Sequence, residues 1–304
     1  MYYTPILKVK QEEIVNKEFF RKGLEIRERY WYNKKSIVNI GKRTPMEGIA
    51  MKTFLKPKNL PLLTMVLGFV GFGLRWLLYM VSVDVKNLLP MNHPLEIALW
   101  LVTAAALALI VASVWKLDGS RRYGDNFKAS PAAGMGHLAA AAGILLTALF
   151  SPESTQGALY GLWKGLGFLA AAALAVAGVC RAQGKRPQFL THMMACVFLL
   201  IHLVGNYRHW SGNPQLQDYV FDLFGCVALM LFAYYEASFD VGAGKRRMQL
   251  AAGLAAVYLG CVALSGSQYP LLYLGGAVWA VTDLCTLNPV PRREKPGQKG
   301  ETAP

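Results

Sequence analysis

Charge is what this chain has least of. Only 16% of its 304 residues are Asp, Glu, Lys or Arg, where a soluble domain carries about a quarter. The shortage is uneven, because residues 1–58 are dense in charge and the remainder is depleted. A soluble globular fold is excluded on that ground, and a membrane domain behind a polar N-terminal extension is predicted instead. Paired cysteine motifs are also missing. Cys180, Cys196, Cys226, Cys261 and Cys285 lie singly in or beside apolar runs, where a reduced cysteine acts as a small hydrophobe, so no disulfide framework is predicted. With no HxxxH or CxxC spacing, no metal is expected either. The chain has no GxSxG, HExxH or GxxxxGK[ST] stretch, so an intramembrane hydrolase or ATP-driven pump lacks its usual signature. No cofactor is implied, and the reading leans away from an enzyme.

What the chain has is apolar length. It is 54% hydrophobic with mean hydropathy +0.30, and a membrane-crossing helix needs about 20 mostly apolar residues. That ruler predicts eight spans: Leu60–Val83, Pro94–Trp115, Ala132–Phe150, Ala158–Cys180, Phe189–Gly205, Leu216–Ala237, Gln249–Leu264 and Tyr269–Leu287. Long alanine-rich runs rule out extended strands, leaving an all-α, polytopic helical bundle in lipid. Three domains follow: a charged extension (1–58), the bundle (59–287) and a disordered tail (288–304).

Orientation follows from where the basic residues fall. Alternate connections carry Lys116, Arg121, Arg122 and Lys128, then Arg181, Lys185 and Arg186, then Lys245, Arg246 and Arg247; the tail adds Arg292, Arg293, Lys295 and Lys299. The opposite connections carry only Lys86 and Arg208. Fourteen against two places both termini in the cytoplasm by the positive-inside rule. The same distribution accounts for the net charge of +14 without nucleic acid as a partner. Trp76, Tyr79, Trp115, Trp210, Tyr219 and Tyr269 fall near predicted helix ends, as an aromatic belt requires. Gly157, Gly161 and Gly165 form a small-residue run, read as packing within the bundle in preference to self-association.

Residues 1–58 contain a charged stretch, Gln11 to Tyr30, suited to an anionic inner leaflet. Met46-Glu47-Gly48, encoded with GAG for Glu47, also reads as a ribosome-binding sequence ahead of Met51. Met51 is therefore a second candidate start, with residues 1–50 as a start-site artefact, and the membrane is taken as a bacterial cytoplasmic one.

Ionisable groups inside spans are functional candidates by default. On the sixth span Asp218, Asp222, Gly225, Leu229, Ala233 and Glu236 share one stripe at about 100° per residue. On the fifth, His202 and Asn206 are one turn apart. With Arg75, Glu96 and Lys164 at similar depth, these residues define a candidate outer polar cluster: Arg75, Glu96, Lys164, His202, Asn206, Asp218 and Asp222. His137 and His192 near the inner ends carry less weight, and Asp283 reads as structural. The leading expectation is a permease-like or sensor-like protein handling a small polar solute or ion from the outer face. The alternative is an accessory subunit whose buried charges only fix helix packing, and a third is a membrane enzyme acting on a lipid-linked substrate through His202 or Asp222. Orientation is open to a direct check in cells, on a protein whose native cysteines have been replaced. An impermeant thiol reagent is expected to label Ser211→Cys and spare Ser120→Cys; the reverse pattern would invert the bundle.

Overall fold

Residues 59–82, 93–115, 119–151, 160–212 and 219–288 are described by a computed structural model. They form nine helices: α1 (Leu60–Ser82), α2 (Pro94–Val114), α3 (Tyr123–Asn126), α4 (Pro131–Phe150), α5 (Tyr160–Ala182), α6 (Phe189–Trp210), α7 (Val220–Asp240), α8 (Arg246–Ala263) and α9 (Pro270–Cys285). Among the described residues there is no strand, only an isolated bridge between Phe127 and Leu287. The extension, the tail beyond residue 288, Gly157 and Asp218 lie outside the described residues.

Eight of these helices fall on the eight apolar runs, and α3 sits in a connection for which no helix is predicted. Six of them, α1, α2 and α4 to α7, are long and apolar enough to cross a membrane. Of the other two, α8 with 18 residues is largely covered by neighbours, and α9 with 16 keeps one exposed apolar face, Leu271, Leu274 and Val278. Two boundaries move. Helix α6 continues to Trp210, so Asn206 and Arg208 are helical and not part of a connection. Helix α7 begins at Val220 and not at Leu216, so Asp222 lies in its first turn.

Local chemistry explains the helix ends. Pro131 and Pro270 occupy first helical positions, where the missing N–H costs nothing. Ser130 caps α4 by accepting from the Ala133 amide at 3.2 Å. Helices α5 and α7 close on positive-φ glycines, Gly184 and Gly242. There the Lys185 N–H donates to Cys180 O, and the Ala243 N–H donates to Ser238 O. Each is the bond that ends a helix at a left-handed residue.

Packing order is simple. Helices α4, α5, α6, α7, α8 and α9 each pack on the next, and α9 packs back on α4, so six helices close a ring. The α1–α2 pair lies against α8, which buries most of that helix. Outward faces are apolar: Leu62, Val66, Phe69 and Met80 of α1 and Leu101 and Val111 of α2 are exposed. Apolar surface of that extent needs a lipid solvent. The chain is a polytopic membrane protein.

Glycines set the closest approaches, though not those of the predicted run. A Cβ on Gly143 would come 2.5 Å from Leu271 O, and one on Gly275 would come 2.6 Å from Ala139 O. These contacts let α4 and α9 close the ring. At Gly161 and Gly165 a Cβ would meet nothing within 4 Å, so internal packing through these two is corrected: they face away from the bundle. Two members of the expected aromatic belt are likewise buried, Trp210 and Tyr269, while Trp76 and Trp115 are exposed at helix ends. Gly143→Ala and Gly275→Ala should each lower stability by about 1–3 kcal/mol, as overpacking does. Gly161→Ala and Gly165→Ala should stay within about 0.5 kcal/mol, measured by thermal unfolding in mild detergent.

Candidate functional site

Two buried polar layers lie at opposite ends of the ring. Helix α7 contributes to both, with Asp222 in its first turn and Glu236 and Asp240 at its far end. At 1.5 Å per residue these ends are about 20 Å apart. Between them lie Phe198, Leu229, Phe232 and Ala233, all buried.

At the Asp222 end, Arg75 reaches from α1 into the bundle. Its Nη2 lies 3.2 Å from Asp222 Oδ2, and its Nη1 donates to Val262 O at 3.2 Å. Both side chains of this ion pair are nearly inaccessible, 2% and 1% exposed. The guanidinium also sits over the Phe221 ring at 5.3 Å, a contact that favours a cation. Asp222 keeps one oxygen, Oδ1, without a hydrogen-bond partner. Tyr273 of α9 donates to the Asp222 backbone carbonyl at 2.7 Å.

His202 is fully buried. Trp163 Nε1 of α5 donates to its Nδ1 at 3.1 Å, and its Nε2 lies 3.0 Å from the Asn206 amide. A neutral imidazole has one bare nitrogen and one N–H. Nδ1 is the bare nitrogen here, and the atom held against Nε2 is Asn206 Nδ2. Tyr269 packs edge-on against the same ring at 4.6 Å. Tyr269 and Tyr273, at the start of α9, thus stand beside the His202 pair and the Asp222 pair.

The structure therefore brings together Arg75 with Asp222, and His202 with Asn206. Lys164 stays apart, half-buried, donating to Tyr160 on its own helix at 3.3 Å. Glu96 is half-buried in the first turn of α2. Asp218 lies outside the described residues.

The second layer was not legible as a site. At the Asp283 end every ring helix supplies a polar side chain: His137 (α4), Arg181 (α5), His192 (α6), Glu236 and Asp240 (α7), Gln249 (α8) and Asp283 (α9), all buried. Arg181 pairs with Asp283 Oδ1 through Nε at 2.9 Å and Nη2 at 2.8 Å. Gln249 Nε2 donates to Glu236 and lies 3.5 Å from Asp283 Oδ2. His192 Nδ1 is 2.7 Å from Asp240 Oδ2, and its Nε2 is 3.3 Å from His137 Nε2. Trp279 Nε1 donates to that same His137 nitrogen at 3.0 Å. His137 and His192, given little weight in the sequence, lie 55 residues apart there and meet in the bundle. Helical spacing cannot show a pairing between separate helices, although the position of each acid near an inner helix end was a usable signal.

The connections flanking α3 seal this end. Phe127 stacks under the Arg181 guanidinium at 4.1 Å, and Arg246 Nη1 donates to Asn126 Oδ1 at 3.1 Å. Burial pushes the Tyr123 phenol well above its ordinary range. No group of three or more His, Cys, Asp or Glu able to hold a metal ion is found among the described residues.

Comparison with known proteins returns no match to any family model, curated protein or solved structure.

The Arg75–Asp222 pair permits a stability cycle. Removing one partner of a buried pair strands a charge and costs about 3–5 kcal/mol. Asp222→Asn and Arg75→Gln should each destabilise the detergent-solubilised protein by that order, and the double variant should recover most of the loss. Additive losses would mean that the two side chains do not interact energetically.

Proposed function

We propose that the chain is an eight-span cytoplasmic-membrane protein, both termini inside, that passes a small polar solute or ion along the interior of the six-helix ring. The observation that carries this reading is the pair of buried polar layers facing each other across an apolar layer, both built on one face of α7. Placing ionisable groups in lipid-embedded helices is costly, and a ring needing only cohesion would do as well with apolar side chains, since buried ion pairs add little net stability. Two polar stations with an apolar barrier between them are what a solute crossing hydrocarbon requires. The basic connections support the orientation. Arg181 contacts Lys128 O, and Arg246 contacts Asn288 O, so segments bearing the positive charge gather at the Asp283 end, assigned to the cytoplasm. Arg75, Glu96, Lys164, His202, Asn206 and Asp222 then line or flank the outer station.

One observation favours the accessory-subunit alternative: Arg75 and Asp222 already partner each other in full burial, as groups that only fix packing would. Thermal shift in detergent separates the two. A panel of amino acids, sugars and inorganic ions is screened against the wild-type protein and His202→Ala. The permease reading expects a saturable rise in melting temperature for at least one solute, lost in His202→Ala. A flat response across the panel, together with no uptake of those solutes by proteoliposomes, would favour the accessory role.

A further inference from the structure

Three histidine and tryptophan side chains at the Asp283 end impose a proton count. His137 Nδ1 is 2.8 Å from the Ala133 carbonyl, which only accepts, so this nitrogen carries a proton. His137 Nε2 accepts from the Trp279 N–H and is therefore bare. His192 Nε2 faces that bare nitrogen at 3.3 Å, and the approach is attractive only with a proton on His192 Nε2. The other side of the His192 ring lies 2.7 Å from Asp240 Oδ2, and this contact also needs a proton. Neutral His192 beside ionised Asp240 has one proton for two contacts. The arrangement as found requires two.

We infer that the His192–Asp240 pair is a proton-binding site, and that its occupancy holds the Asp283 end of the ring closed through the His137–His192 bridge. This rests on the permease reading and deepens it by naming the ion that controls the path. In the loaded state the pair is imidazolium with carboxylate, or imidazole with carboxylic acid; both hold the same extra proton and are net neutral. Unloading breaks one N–H or O–H bond, leaves the electron pair on that atom and delivers H⁺ to water. The remaining imidazole proton then stays at Nδ1 against the Asp240 carboxylate, and two bare Nε2 atoms face each other across the bridge. They repel, and His137 and His192 separate.

Position makes the bridge a closure. Helices α4 and α6 are not ring neighbours, because α5 stands between them, so the His137–His192 contact spans the interior. Trp279 of α9 completes it, lying parallel to the His192 ring (9° between planes) and edge-on to Phe232. Two buried acceptors at this end lack donors, Asp240 Oδ1 and Gln249 Oε1, which leaves sites for water once the bridge parts. A proton suits the site better than a metal cation, since the Arg181 guanidinium occupies the adjoining carboxylate. The charged and titratable groups that act on the pair are His137 (α4), Arg181 (α5) and Arg186 in the connection after it. Glu236 (α7) and Asp283 (α9) are engaged with Gln249 and Arg181, Tyr123 (α3) lies under Arg181, and Arg246 (α8) is turned to Asn126 and Asn288.

The test uses Ala195→Cys in the full chain with the native cysteines replaced. Ala195 is fully buried, about one turn beyond His192 on α6. Maleimide labelling in detergent is followed against pH and normalised to Gln183→Cys, which is exposed at the same end. The expected result is a labelling rate that rises at least about tenfold as the pair unloads with increasing pH. His137→Ala should label fast at every pH. Asp240→Asn should stay closed at every pH, because its amide N–H donates to His192 Nδ1 and fixes the Nε2–H form. A normalised profile that is flat with the pair intact overturns the proposal, and that arm needs neither variant to fold. An unchanged pH response in folded Asp240→Asn also overturns it. Labelling requires no solute, so failure of the permease reading would show as absent uptake with the pH response preserved.

Discussion

Hydrocarbon donates and accepts no hydrogen bonds, and the bundle is organised around that constraint. A carboxylate, imidazole or guanidinium placed in a span must find its partners on other helices or not be there. The buried ionisable side chains do so across helix boundaries: Arg75 to Asp222, Arg181 to Asp283, His192 to Asp240, His137 to Trp279. These contacts fix helix rotation in a way that apolar side chains, interchangeable with lipid, do not.

Close packing and polar pairing support each other. Gly143 and Gly275 let α4 and α9 approach to backbone contact, and this closure carries Asp283 and Trp279 to Arg181 and His137. Helix α8, sheltered by α1 and α2, tolerates Gln249 and Arg246 because both are buried against protein. The 16 residues of α9 pack on α4 and α8 along one side, while Leu271, Leu274 and Val278 stay exposed on the other.

The two layers differ in kind. At the Asp222 end the Arg75–Asp222 pair and the His202–Asn206 pair stand side by side as separate contacts, with Asp222 Oδ1 and Ser265 Oγ left over. At the Asp283 end two histidines and three acids lie in one layer with the Arg181 guanidinium, and His192 meets Asp240 directly. The first resembles a lock, and the second holds the histidine–carboxylate contact at which a proton can be bound or released.

Much of the fold was legible in sequence. Apolar run length placed eight helices within a few residues, because lipid thickness and the helical rise leave little freedom. The buried stripe on α7 followed from helical periodicity, and the packing of α7 on α6 from the short connection between them. Which residues meet across the ring was not legible. His137 and His192 carry no local signature, and Lys164 looks as available to an acid as Arg75 does. Run length, periodicity and charge asymmetry are properties of one helix at a time, so the sequence by itself determined the helices, their buried faces and an expected orientation. Ring closure by α4 and α9, the choice of Arg75 over Lys164 and the meeting of two histidines 55 residues apart depend on helix order and rotation, which only tertiary packing decides.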